Sequence, residues 1–211
     1  MLTIIGTCHV LPVGDVVRGL INEIKPGAVL IELDKHRCEQ LMKPLAHSSL
    51  LDCQEVTAWL NGCRAGNDMI GAVKGAEDIG VEVIYIDEEW SKSFSDSLVR
   101  IAQIARSPIE QVYYMFAIAY TIAHVPGWLR SAKTDKIPER DVVLKSIFPV
   151  GWYPFGDIWL THREKLMAKR IREISSNVTD VVVVVGAAHM ENLGRLLITL
   201  SPRLISTLKD A

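Results

Sequence analysis

Apolar positions along the chain fall into two patterns. LTIIG at 2–6, AVLIEL at 28–33, VEVIYID at 81–87 and DVVVVVG at 180–186 are apolar without alternation, which predicts strands covered on both faces. The second of these has Glu32 as its one exposed exception. Between the strands, apolar residues recur at helical spacing. After Gly14-Asp15 they are Val16, Val17, Leu20, Ile21 and Ile24, with Asp15 placed to cap the helix and Pro26-Gly27 to stop it. Further helices are expected at 36–46, at 55–79 up to Gly80, at 94–130 with Pro108 dividing it in two, at 161–175 and at 190–200. RLISTL at the end predicts a short edge strand. The stretch 131–160, with Pro138, Pro149, Gly151, Pro154 and Gly156, reads as an irregular lid or interface loop.

Strand, helix and strand follow one another within residues 2–33, which is a βαβ unit with parallel strands ending at the same edge of a sheet. The run of five valines belongs at the centre of that sheet. The class is therefore α/β: a mainly parallel central sheet with helices on both faces and a helical insertion between the third strand and the last helix–strand unit. One domain spanning 1–211 is expected, with the helical and irregular insertion at about 90–160.

Composition narrows the function classes. A formal net charge of −2, with 49% hydrophobic and 23% charged residues, lacks the basic excess that a nucleic-acid partner would need. No basic region followed by a short apolar stretch and a cleavage site precedes the first strand, so a cytoplasmic location is expected. Cys8, Cys38, Cys53 and Cys63 show no metal-ribbon or disulfide spacing and read as reduced thiols. Residues 112–129 contain no Asp, Glu, Lys or Arg. Their polar groups and the Pro126-Gly127 break favour a buried or subunit-covered helix over a membrane contact, and a homodimer is expected to supply the cover.

In parallel sheets the functional crevice lies beyond the carboxyl ends of the strands. Here those ends carry His9, Glu32 with Asp34, Asp87, and His189. Each group can ligate a metal or move a proton. The first and fourth strands share a Gly-x-x-His step, Gly6 to His9 and Gly186 to His189, in which glycine would permit a tight turn that folds a loop histidine over the strand end. Glu32, if buried, needs an arginine, a metal or a histidine beside it. Asp34 reads equally as a site residue or a helix cap. Within HREKLMAKRIREI, Arg163 falls in the stripe of Leu166, Met167, Ile171 and Ile174 and so points inward, as an ion-pair partner for Glu32 or an anion clamp. Arg170 shares the stripe and is expected to snorkel.

GTCHV, VLIELDKHR, HREKLMAKRI and VVVVVGAAHMENL together resemble the TraB family, which includes the PrgY pheromone-shutdown proteins and is similar in turn to the Tiki, GumN, erythromycin esterase and ChaN-like group. The likeness covers roughly 1–40 and 155–200, with a weaker block at 85–87. The matching positions are Gly6, His9, Glu32, Arg37, Arg163, Gly186 and His189. Two departures stand out: the helix opens His162-Arg163-Glu164 where the family has Glu-Arg-Asp, and Asp87 is followed by Glu88 where the family has arginine.

The resemblance implies a divalent-metal hydrolase acting on a peptide or other acyl-type substrate. His9 and His189 would hold a Mn, Co or Zn ion, with Glu32 either ligating it or acting as general base on its water, and Arg163 would stabilise the oxyanion. Gly6, Asp34, Arg37, Asp87 and Gly186 would support the site or the substrate. A binding protein that sequesters a peptide or small ligand in the same crevice is the rival class. A membrane-associated regulatory module working through 112–129 is a third.

Overall fold

The computed structural model describes residues 1–43, 58, 62–88 and 153–207, with side chains in the last segment from Leu160 onward. The helices expected at 94–130, the insertion as far as 152, the end of the helix expected at 36–46, and the apolar stretch at 112–129 with its membrane or dimer contact all lie outside the described residues.

Five parallel strands form one sheet: β1 (Leu2–Thr7), β2 (Ala28–Ile31), β3 (Glu82–Tyr85), β4 (Val181–Gly186) and β5 (Arg203–Ser206), in the order β3-β2-β4-β1-β5. The valine strand is central, with Val183 between Ile4 of β1 and Leu30 of β2. Short β3 and β5 form the two edges. Side-chain alternation sends Ile4, Leu30, Val181, Val183 and Val185 to one face and Ile5, Val29, Ile31, Val182 and Val184 to the other. Both sets are buried, so each face requires a helical layer.

The layers are α1 (Gly14–Ile24), α2 (Lys35–Leu41) and α3 (Asn67–Ile79) on one face, and α4 (Tyr153–Ser175) and α5 (Ala187–Leu196) on the other. Met167, Ala168 and Ile171 of α4 and Leu193 of α5 cover the first set of strand residues. Val17 and Ile21 of α1 and Met69, Ala72 and Ala76 of α3 cover the second. α1 and α3 meet at backbone contact, since a Cβ on Gly71 would collide with the Gly14 backbone. Gly14 N–H donates to Asn67 Oδ1 at 2.6 Å, which fixes the first turn of α3.

Several expected elements shift. The helix expected from 55 gives way at 62–66 to a turn with Gly62 and Gly66 in the left-handed region, and α3 begins only at Asn67. α4 begins at Tyr153 rather than 161, because Pro154 falls in the first turn, where a missing N–H removes no helical hydrogen bond. α5 begins at Ala187 directly after β4, so His189 lies in a helical turn and not in a loop. Glu32, expected as an exposed exception, is only 5% exposed and its N–H still bonds Val184 O. No helix among the described residues is long and apolar enough to cross a membrane.

Candidate functional site at the strand carboxyl ends

Glu32 leaves β2 with its carboxylate turned into the crevice. Oε1 accepts from Arg163 Nη2 at 2.7 Å and faces His189 Nε2 at 3.1 Å, while Oε2 accepts from Gly186 N–H at 2.7 Å. Burial alone would raise the pKa of this carboxyl. His189 and Arg163 outweigh it and hold Glu32 well below the usual carboxylate range. On the far side of the ring, His189 Nδ1 meets Glu164 Oε1 at 3.0 Å, and Glu164 Oε2 accepts from Asn192 Nδ2 at 2.6 Å. Burial favours a neutral His189, but Glu32 and Glu164 reverse that and raise its pKa. Of the two readings open for Arg163, the ion pair is the one present: Nε and Nη2 also bond Asp87 at 3.2 and 2.7 Å.

His9 sits in a turn after β1, with 30% of its side chain exposed. Its Nδ1–H donates to Asp68 Oδ2 at 2.8 Å, and that same oxygen is bonded by the Thr7 hydroxyl. Asp68 is wholly buried in the first turn of α3, and the Gly66 N–H to His9 O bond, 2.7 Å, holds the two segments together. Burial works against a charged His9, but Asp68, and more weakly Glu32, push its pKa up to about 9. In turn, His9 and Thr7 lower the pKa of Asp68 against the opposing effect of burial.

The remaining expected residues divide by role. Asp34 caps α2, its Oδ1 accepting from Arg37 N–H at 2.9 Å. Arg37 Nη1 reaches Asp87 Oδ2 at 3.3 Å, so two guanidinium groups grip Asp87. Arg170 donates to Asp87 O at 2.6 Å from an exposed position, reaching back to the strand end. An open groove beside them is lined by Asp34, Lys35, His36, Glu39, Asp87, Glu88 and Arg170. His162 Nε2 lies 4.0 Å from Glu88 Oε2, on this same side. Cys8 and Cys38 are free thiols, and burial pushes both up.

The two glycines matter for space rather than for turning. Neither Gly6 nor Gly186 has a positive φ; Gly186 has φ −58° and ψ 141°. A Cβ on Gly6 would stand 2.5 Å from Met190 Sδ, closing the seat of α5 on β1. A Cβ on Gly186 would stand 3.1 Å from His9 Nε2 and 3.4 Å from Glu32 Oε2. Gly186 therefore keeps open a gap that both of these polar atoms border.

That gap presents two donors, one imidazole nitrogen and one carboxylate oxygen. His189, the third ligand expected for a divalent ion, is engaged at both nitrogens, and Glu32 Oε1 already serves Arg163. Among the described residues no group of three His, Cys, Asp or Glu side chains could hold a metal ion. As arranged, these residues do not fit the divalent ion that the resemblance implies.

Asp68 and Glu164 were not anticipated. Each carried a signal: Asp68 falls on the stripe of Ala72 and Ala76, and Glu164 on that of Ala168 and Ile171, so both acids lie on buried helix faces.

No family model matches the chain. It is similar to an uncharacterized protein of Methanocaldococcus jannaschii, 24% identical over 215 residues, with 92% of this chain and 52% of that protein covered. The chain spans about half the length of this curated relative.

Proposed function

We propose that the crevice is the active site of a TraB-like hydrolase acting on a peptide or other acyl-type substrate, with His9 as the proton-transfer group. The observation that carries this reading is the His9–Asp68 pair beside Gly186. A buried carboxylate on Nδ1–H fixes the tautomer, aims Nε2 at the open gap, and stabilises the imidazolium formed when a water gives up its proton. Glu32 borders the other side of the gap, held in place by Arg163, His189 and the Gly186 N–H. The groove beside Asp87, with both acidic and basic groups, would take the polar main chain of an extended substrate. We place this activity in the cytoplasm and in a homodimer, with no nucleic-acid partner.

Hydrolysis is tested by incubating the protein with peptide and ester libraries and following products by mass spectrometry. The expected result is cleavage that His9→Ala abolishes, with kcat/KM of the native protein rising with pH to a limb near 9. Cleavage that is unchanged in His9→Ala, or a library left intact, would sink the hydrolase reading.

The pairing of Glu32 and Asp87 with Arg163 favours a second reading, a peptide- or small-ligand-binding protein whose crevice charges are structural. Under that reading the ligand is retained and released chemically unchanged.

A further inference from the structure

We infer that the groove beside Asp87 holds a carboxylate of the substrate on Lys35 and Arg170, so that the site selects peptides with a free carboxyl group close to the gap at Gly186. The inference rests on the crevice being the functional site and adds which substrates it takes. Its basis is which charges in the groove are already matched. Asp34 caps α2, Asp87 is held by Arg37 and Arg163, and Glu88 lies beside His162. Lys35, exposed on the groove wall, has no acceptor among the described residues. Arg170 uses one N–H, on Nη1, to bond Asp87 O at 2.6 Å. That bond fixes the guanidinium at the strand end and leaves its Nε–Nη2 edge without an acceptor among the described residues. Such an edge presents two parallel N–H donors at the spacing of the two oxygens of a carboxylate.

Charge and distance narrow the ligand. Glu39 also lines the groove, so Lys35 and Arg170 stand against one acid that has no cation beside it. That balance suits a single negative charge better than a dianionic phosphate, which Glu39 would repel. Arg163 Nη2 stands 2.7 Å from Glu32 Oε1 and 2.7 Å from Asp87 Oδ2, so the two oxygens lie within about 5.4 Å of each other. An extended residue spans about 3.5 Å, and a peptide whose scissile carbonyl sits at the gap beside Glu32 therefore enters the groove within about two residues. The groove, about 610 Å³, has room for a short peptide end.

The test offers the full chain three sets of N-acetylated hexapeptides: free acids without Asp or Glu, the same peptides as carboxy-terminal amides, and amides whose last residue is glutamate. Cleavage is read by mass spectrometry and binding by calorimetry. A peptide with a carboxylate should be favoured over the plain amide by about tenfold, and which of the two acid sets is favoured identifies the chain end or a side chain as its source. Lys35→Glu, at an exposed position with no polar partner among the described residues, should remove that preference, as should the double variant Lys35→Gln, Arg170→Gln. All three sets taken equally, or a preference unchanged in Lys35→Glu, would overturn the inference. Failure here is separable from failure of the hydrolase reading. Cleavage with no preference for a carboxylate would keep the hydrolase and discard this inference. Preferential binding of the acids by a protein that cleaves nothing would do the reverse.

Discussion

The two Gly-x-x-His steps are spelled alike and built differently. His189 lies in the first turn of α5, 4% exposed, with a carboxylate at each ring nitrogen. His9 lies in a turn, partly open to solvent, with one nitrogen on Asp68 and the other facing the gap over Gly186. One imidazole is consumed in holding the sheet edge together, and the other keeps a nitrogen available for chemistry. A shared motif here marks a shared location, while the partners brought in by neighbouring helices decide the role.

The largest effect on stability is expected at the enclosed histidine. His189→Ala leaves Glu32 and Glu164 without their shared cation inside the protein, and urea unfolding should show a loss of about 3–5 kcal/mol. A loss under about 1 kcal/mol would mean that the two carboxylates do not depend on the ring.

Gly186→Ala comes next. The added Cβ meets His9 Nε2 at 3.1 Å and Glu32 Oε2 at 3.4 Å, so it should cost about 1–3 kcal/mol and fill the gap that the proposed chemistry uses. Full stability together with full substrate turnover would show that the gap has no role.

A smaller, pH-dependent difference should separate the two regions further. The folded pKa of His9, about 9, lies above the unfolded value of about 6.5, so its contribution is fully present below pH 6.5 and is lost as the pH rises through 9. Asp68 and Glu32 are shifted downward, so their contributions are present above the ordinary carboxylate range and are lost as the pH falls below it through their lowered folded values. Unfolding free energies measured from about pH 2 to pH 9.5 should fall at both ends. His9→Ala should shrink the alkaline loss without removing it, because the pKa of His189 is raised as well.

Much of this site was legible along the chain because strand ends are set by local pattern. Consecutive valines place β4 at the centre, and a glutamate in an apolar strand demands a cation, which Arg163 in the apolar stripe of α4 provides. Legibility stopped where the partner comes from a distant helix. Asp68 finds His9 only because α3 crosses α1 at Gly14 and Gly71, a backbone approach that no spacing in the β1 segment encodes. The role of the glycines in the two motifs is hidden in the sequence for a related reason, since the atoms that need their space, Met190 Sδ, His9 Nε2 and Glu32 Oε2, belong to other elements.

The most direct test of the division between the histidines is one variant measured twice. For His9→Ala, urea unfolding at pH 7 and kcat/KM on a cleaved substrate are compared with the native protein. The account requires kcat/KM to fall by about 10²–10⁴-fold with a loss of stability smaller than the about 3–5 kcal/mol expected for His189→Ala. Undiminished kcat/KM, or a loss of stability as large as that of His189→Ala, would contradict it.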